Sequence, residues 1–277
     1  MHSIRLQSIH QYPVKSCAPI NLSRGWIDEY GLAGDRRYLV TNADGQFITA
    51  RNHPKLSLLA ATPFNRGLVL AANGYPALVL KESDYLDDYR SVTVWKQSMQ
   101  AQHCGDLACQ WLSEFLETPC QLLFFGEKTV RPIKKVPEQQ VSFADGYPLL
   151  LTSTASLEWL QARCPTPIDM LQFRPNLVVT GNLPFAEDNW QEIQIGDVRF
   201  SVHSPCERCV LTTLPLGSTD FNPQQEPLRT MLKYRRAYEG GALFGQNLIA
   251  HNTGVIEAGA CVKIIREAPA NIVRPTE

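Results

Sequence analysis

The sequence predicts a mixed α/β fold rich in strands, and three observations predict it. Apolar residues recur in short alternating runs between residues 4 and 264, the period of half-buried strands. Turn residues such as Asn42-Ala-Asp-Gly45 and Gly196-Asp197 punctuate those runs, as hairpins require. Helical periodicity is confined to 105–117, the residues after Ser153, and 226–236.

The first strand covers residues 4–13. Pro13 ends its ladder and leaves Lys15 and Ser16 on a loop, where a cation and a hydroxyl can hold a phosphate or simply face water. Gly34-Asp35-Arg36-Arg37 opens the next strand, which turns at 42–45 and returns through Gln46 to Ala50. Arg36 and Arg37 point to opposite sides, so one faces inward, and a buried arginine needs an anion. Strands follow near 56–61, 67–71, 77–80 and 92–95. In 105–117, Leu107, Trp111 and Phe115 recur every fourth residue, and Leu112 and Leu116 widen that helical face. Thr118-Pro119 closes the helix, and the sequence divides there into domains 1–120 and 121–267, with 268–277 as a linker or tail.

The second domain starts with a strand at 121–125. The basic, proline-containing segment 127–140 reads as a mobile surface loop, with a lid over anionic substrates as the alternative. Leu149-Leu-Leu precedes a helix capped by Ser153 or Thr154 and carrying Leu157, Trp159 and Leu160. Phe173 to Thr180 reads as a strand, with Pro175 holding Arg174 extended. Ile193, Ile195, Val198, Phe200 and Val202 alternate about the Gly196-Asp197 turn, a hairpin. A helix from Glu226, with Pro227 near its first position, ends in cations. Strands at 243–248 and 255–264 close the chain.

That hairpin leads into His203-Ser-Pro-Cys206-Glu207-Arg208-Cys209, the stretch where chemistry concentrates. A cysteine beside an arginine ionises more easily, and a thiolate attacks disulfides or binds soft metals. Four readings stand on the residues alone. The pair can be ordinary core cysteines. It can be a thiol-redox motif, though Pro205 and the β-branched residues around it differ from the usual helix-opening setting. His203, Cys206 and Cys209 can be zinc ligands, though no second Cys/His cluster supplies a closed set. Or one of the two sulfurs binds a softer metal.

Composition bounds the rest. A chain of 277 residues with 44% hydrophobic and 19% charged residues builds a sizeable core and is not a disordered chain. A formal net charge of −1 argues against a nucleic-acid binder that works by charge. No apolar run reaches the length of a membrane span, and the N-terminus carries no secretory apolar region. Eight cysteines without a regular framework fit a reducing compartment, so the expected location is cytoplasmic.

Six motifs occur in order: Tyr-Pro-Val-Lys15-Ser16, Gly34-Asp35-Arg36-Arg37, Phe-Ala-Asp145-Gly146-Tyr147-Pro148, Phe173-Arg174-Pro175-Asn176, Pro205-Cys206-Glu207-Arg208-Cys209 and Phe244-Gly245-Gln246-Asn247. Across roughly residues 4–266 this set resembles the MOSC family, more narrowly its YcbX-type proteins and amidoxime-reducing components. The resemblance implies a MOSC β-barrel-type domain with flanking helices after an N-terminal MOSC_N-like domain. It implies a molybdenum-pterin (molybdopterin) cofactor, not pyridoxal phosphate, with Cys209 as both metal ligand and catalytic residue and Cys206 as a neighbour. Lys15, Ser16, Arg36, Gly146, Tyr147, Arg174, Asn176, Arg208 and Asn247 correspond to the family's cofactor contacts, with Arg36 favoured over Arg37. The first domain would lend Lys15, Ser16 and Arg36 to the site.

The activity implied is two-electron reduction of the N–O bond in hydroxylaminopurines, amidoximes or hydroxylamines, releasing water, in a detoxifying role. The partners implied are a small N-hydroxylated substrate and a separate flavin or iron–sulfur electron donor, with no nucleic acid and no membrane. Asp145 and His203 are candidate proton donors, each with a structural alternative. Glu207 stands where relatives often carry serine, and is expected to face solvent. The sequence holds no Cys-x4-Cys-x2-Cys run for the ferredoxin domain that YcbX-type relatives often append, and stops where its linker would begin. The alternative function is a non-catalytic module that carries the molybdenum cofactor or sulfur.

Overall fold

The computed structural model describes residues 3–270 and 272–273. Strands dominate, with three α-helices among the described residues: α1 (Asp106–Leu116), α2 (Thr154–Gln161) and α3 (Leu228–Tyr234). The chain forms two compact units. The first takes Gln11–Ile20 and Gly34–Gly146; the second takes the segment up to His10, Asn21–Ala33 and everything from Tyr147 onward.

The second unit is built on one sheet that closes on itself. Arg5–Gln11 lies beside Leu177–Thr180, followed by Leu149–Ser153, Gly240–Ala250, Val198–Arg208, Trp190–Ile195 and Val262–Glu267. A bridge between Arg5 and Cys261 then returns to the first strand, with Leu6 N donating to Ala260 O and Val262 N to Ile4 O, each at 2.9 Å. Alternation puts Ile193, Ile195, Val198 and Phe200 fully inside. Each such side chain contributes about 1.5–3 kcal/mol by leaving water.

The predicted turn at Gly196-Asp197 joins Ile195 to its partner Val198, and Gly196 adopts φ 58°, which suits glycine there. Farther along, the pairing of Val198–Arg208 with Gly240–Ala250 slips after Val202 and again after Pro205. Such bulges bend a strand and re-aim its side chains, here just before the cysteines. Opposite, Gly245 at φ 82° is pressed on its neighbour: a Cβ there would lie 2.7 Å from Leu151 O. That contact explains the glycine of the Phe244-Gly245-Gln246-Asn247 motif.

The first unit has a four-stranded sheet in the order Tyr38–Thr41, Gln121–Phe124, Gln97–His103 and Tyr89–Val94. Gln121–Phe124 sits between two earlier strands and therefore packs in the same unit as they do. A second, three-stranded sheet holds Ala60–Phe64, Gly67–Ala72 and Tyr75–Lys81. Helix α1 buries Ala108, Trp111, Leu112, Phe115 and Leu116, while Leu107 is 71% exposed. The apolar face is therefore rotated from the one that counts Leu107.

Other expectations change in detail. Segment 127–140 is not an open loop but a short hairpin, Pro132–Ile133 with Val136–Gln140, anchored by the buried Arg131. The run at 56–61 divides into a 3-10 turn, Pro54–Leu58, and the start of the strand Ala60–Phe64. Gln46–Ala50 makes only isolated bridges, Phe47 with Thr41 and Gln46 with Thr93. Ser153 precedes α2 but its hydroxyl is engaged with Asn182 Oδ1, so it does not cap the helix. Of the predicted tail, Ala268 and Ala270 donate backbone N–H bonds to Asn189, and Val273 bridges Ala237; residues 271 and 274–277 lie outside the described residues.

Arg174 departs most. It is left-handed (φ 55°, ψ 47°) and not extended, because it terminates the 3-10 turn Met170–Phe173 by donating N–H to Leu171 O. Proline disfavours the right-handed helical region for its predecessor, and the turn resolves that conflict through the left-handed one.

Candidate functional site

In the first unit the sequence motifs converge on Asp35 and Asp145. Asp35 is buried, accepts Tyr12 N–H at 2.8 Å through Oδ1, and takes Arg36 Nη1 at 2.6 Å through Oδ2. Arg36 also lies over the Tyr12 ring at 4.3 Å. Burial works against the Arg36 charge, but Asp35 more than offsets it and raises the guanidinium's affinity for its proton. Arg37 instead donates to Phe125 O at 2.9 Å and packs on the rings of Phe124 and Phe125. The acid-paired arginine is thus Arg36.

Lys15 is 6% exposed. Its Nζ donates to Phe143 O at 2.8 Å and to Asp145 Oδ1 at 2.6 Å. Burial pulls the ammonium down to about 8, against the restoring pull of Asp145. The Asp145 side chain is two-thirds exposed, and Lys15, Arg51 and the Trp95 N–H together hold its carboxyl below the usual range. That shift favours the structural reading of Asp145 over the proton-donor one. Ser16 is buried at φ 75°, and a Cβ built on Gly146 would meet no atom within 4 Å.

Two residues that sequence reasoning missed support this group. Arg131, 1% exposed, donates to the carbonyls of Ser142, Ala144 and Asp145, and so fixes the segment that meets Lys15. Trp95 donates Nε1–H to Asp145 Oδ1 at 3.1 Å. The signal for Arg131 was present as a charge inside Thr-Val-Arg-Pro-Ile; the signal for Trp95 was not.

In the second unit Cys206 and Cys209 differ. Cys206 lies within Val198–Arg208 and its Sγ receives Arg208 Nη1 at 2.9 Å. Cys209 follows the strand and is exposed, its carbonyl pinned by Thr212 N–H (3.1 Å) and Thr212 Oγ1–H (2.9 Å). Arg208 Nη2 donates to Phe173 O at 2.6 Å, and its Nε is buried with no partner among the described residues. Tyr147 Oη is buried in the same condition, with its ring 5.0 Å from that of His203.

Asn176 is a strut. Its Nδ2 donates to His10 O at 3.1 Å and its Oδ1 accepts Leu150 N–H at 3.2 Å, tying two strands together. Asn247 Nδ2 donates to Ser204 Oγ and Pro205 O, each at 3.3 Å, and steadies the bulged strand ahead of the cysteines. Glu207 is exposed, on the side toward Gly241. Among the described residues no three His, Cys, Asp or Glu side chains are grouped to hold a metal ion.

The family profile of the MOSC N-terminal beta barrel domain matches residues 3–119, and that of the MOSC domain matches residues 138–263. The mitochondrial amidoxime-reducing component 1 of Homo sapiens is 32% identical over 273 residues, covering 92% of this chain and 81% of the relative. That of Mus musculus is 34% identical, covering 92% and 80%. Component 2 of Bos taurus is 33% identical, covering 90% and 79%. A solution structure from Bordetella bronchiseptica overlaps 35% of this chain and 83% of its own, at TM-score 0.29 and 26% identity, too slight to bear on the fold. With both profiles matched in order and relatives alike over nine-tenths of its length, the chain belongs to the MOSC family of amidoxime-reducing components.

Proposed function

We propose that the protein is a molybdenum-cofactor-dependent reductase of N-hydroxylated compounds. The donor set carries this reading: an exposed cysteine, Cys209, directly after Arg208, with a buried cation at Lys15 and a largely covered one at Arg36. A pterin brings its own sulfurs and phosphate, so the protein need supply one thiolate, cations and hydrogen-bond donors. Two buried polar groups without partners, Tyr147 Oη and Arg208 Nε, fit such a guest.

When bound, the cofactor supplies the two-electron chemistry at the N–O bond. The side chains hold and tune it. Cys209 would ligate the metal. Lys15, Arg36, Arg174 and Arg208 offset the phosphate charge, while Ser16, Tyr147, Asn247 and the open backbone at Gly146 offer hydrogen bonds. Asn176 positions its neighbours through the strand carbonyl and amide it spans. Burial draws Lys15 Nζ down to about 8, within reach of releasing a proton near neutrality. Electrons arrive from a separate flavin or iron–sulfur protein, and a cytoplasmic location, testable by fractionation, completes the reading. Among the described residues no helix is long and apolar enough to cross a membrane.

Protein purified from a molybdenum-replete host should contain stoichiometric molybdenum and reduce benzamidoxime with a chemical reductant. Absence of the metal overturns the reading; metal without N–O reduction favours a carrier.

A further inference from the structure

Trp95 occupies a position that hairpin chemistry ordinarily gives to glycine. Tyr89–Val94 and Gln97–His103 are joined by Trp95-Lys96 alone, with Val94 opposite Gln97, and Trp95 is left-handed at φ 57°. A bulky residue in that region is strained, and such strain persists where surrounding contacts impose it. Three contacts impose it here. The indole N–H is bonded to Asp145 Oδ1, the same oxygen that takes Lys15. The Arg51 guanidinium lies 4.4 Å from the ring, and the Phe47 ring is tilted against it at 5.5 Å. Yet the residue is 49% exposed, so a large apolar ring is braced on several sides while half of it stays in water.

We propose that Trp95 is a stacking platform that selects planar, conjugated N-hydroxylated substrates over small aliphatic ones. This rests on the reading of Lys15 and Gly146 as cofactor contacts, which makes Asp145 their neighbour and Trp95 the aromatic group bonded to it. Arg51 drains electron density from the ring through a cation–π contact, and the N–H bond to Asp145 fixes its plane. A braced aromatic loses little freedom when a flat ligand stacks on it, so the gain appears as discrimination.

The test compares kcat/KM for benzamidoxime with that for hydroxylamine in the molybdenum-loaded protein, and follows benzamidoxime binding by quenching of tryptophan fluorescence. Trp95→Ala should lower the ratio of the two kcat/KM values about 5- to 10-fold, mainly through KM for benzamidoxime. Trp95→Gly, suited to the left-handed backbone, should do the same without loss of thermal stability. Trp95→Phe, which keeps a ring but loses the N–H, should restore most of the ratio. A ratio that moves less than twofold in the Ala and Gly variants overturns the proposal, as does loss of bound molybdenum in them. If the loaded wild-type protein reduces neither compound, the functional reading itself has failed, and this inference with it.

Discussion

Arg208 Nη1 lies 2.9 Å from Cys206 Sγ, so the guanidinium between the two cysteines is turned toward the first, while the second is the more exposed. The strand ends between them. Cys206 is inside the ladder, whereas Cys209 starts a 3-10 turn and faces out.

This asymmetry predicts different outcomes for the two thiols. Cys209→Ala should abolish molybdenum retention and N–O reduction. Cys206→Ala should cost about tenfold or less, as loss of a neighbouring support does. Metal content by elemental analysis checks both, and equal sensitivity would count against Cys209 as the ligand.

Lys15 predicts a pH limit on cofactor retention. Its ammonium is drawn down to about 8 by burial, so its charge, and the attraction to a phosphate, fades as pH rises through that value. Retention measured by gel filtration from pH 7 upward should fall in wild type and be lower and flat in Lys15→Ala. Folding responds oppositely. The unfolded lysine keeps its proton to near 10.5, so this group's share of stability increases with pH between about 8 and 10.5.

Glu187 predicts a stability change on the other side of neutrality. It is 1% exposed, accepts Ser156 Oγ–H at 2.5 Å and Asn182 Nδ2–H at 3.1 Å, and burial pushes its carboxyl up to about 7 from 4.5. The fold favours the neutral acid, so its contribution is full below pH 4.5 and is lost as pH rises through about 7. The span corresponds to about 3 kcal/mol. Thermal melts from pH 4.5 to 8 should show this decline in wild type and lose most of it in Glu187→Gln.

Arg131 should be costly to remove. Three carbonyls of one segment converge on its buried guanidinium. Arg131→Ala leaves them without partners and should destabilise the protein by about 3 kcal/mol in urea unfolding. Because the same segment presents Phe143 O and Asp145 to Lys15, molybdenum retention should fall as well.

The elements of this fold were legible where one local rule acts alone. Ile193 to Val202 about Gly196-Asp197 is such a case, since alternation and turn chemistry agree. Arg174 was misread because proline's effect on its predecessor was weighed without the 3-10 turn that precedes both. Segment 127–140 looked mobile because its charges suggested water, while a single buried Arg131 organises it from within. The placing of Gln121–Phe124 escaped because this strand, coming after a clean helix stop, inserts between two earlier strands, and no sequence signal reports which strands will pair. The candidate site was legible as motifs, but its geometry was not: Asp35 as the clamp on Tyr12 and Arg36 emerges only when residues 23 apart meet.

The seam between Arg5 and Cys261 has a consequence for how the chain matures. On the ribosome, everything that the first unit needs has emerged once Gly146 has left the exit tunnel. Along that edge the opening strand takes Ile20–Leu22 early, but its bridge to Cys261 must wait for residues synthesised more than 250 positions later, with loop closure as the slow step. Truncation just before residue 260 would therefore leave Trp190–Ile195 as an open edge, and aggregation, not simple loss of activity, is the expected fate of such a fragment.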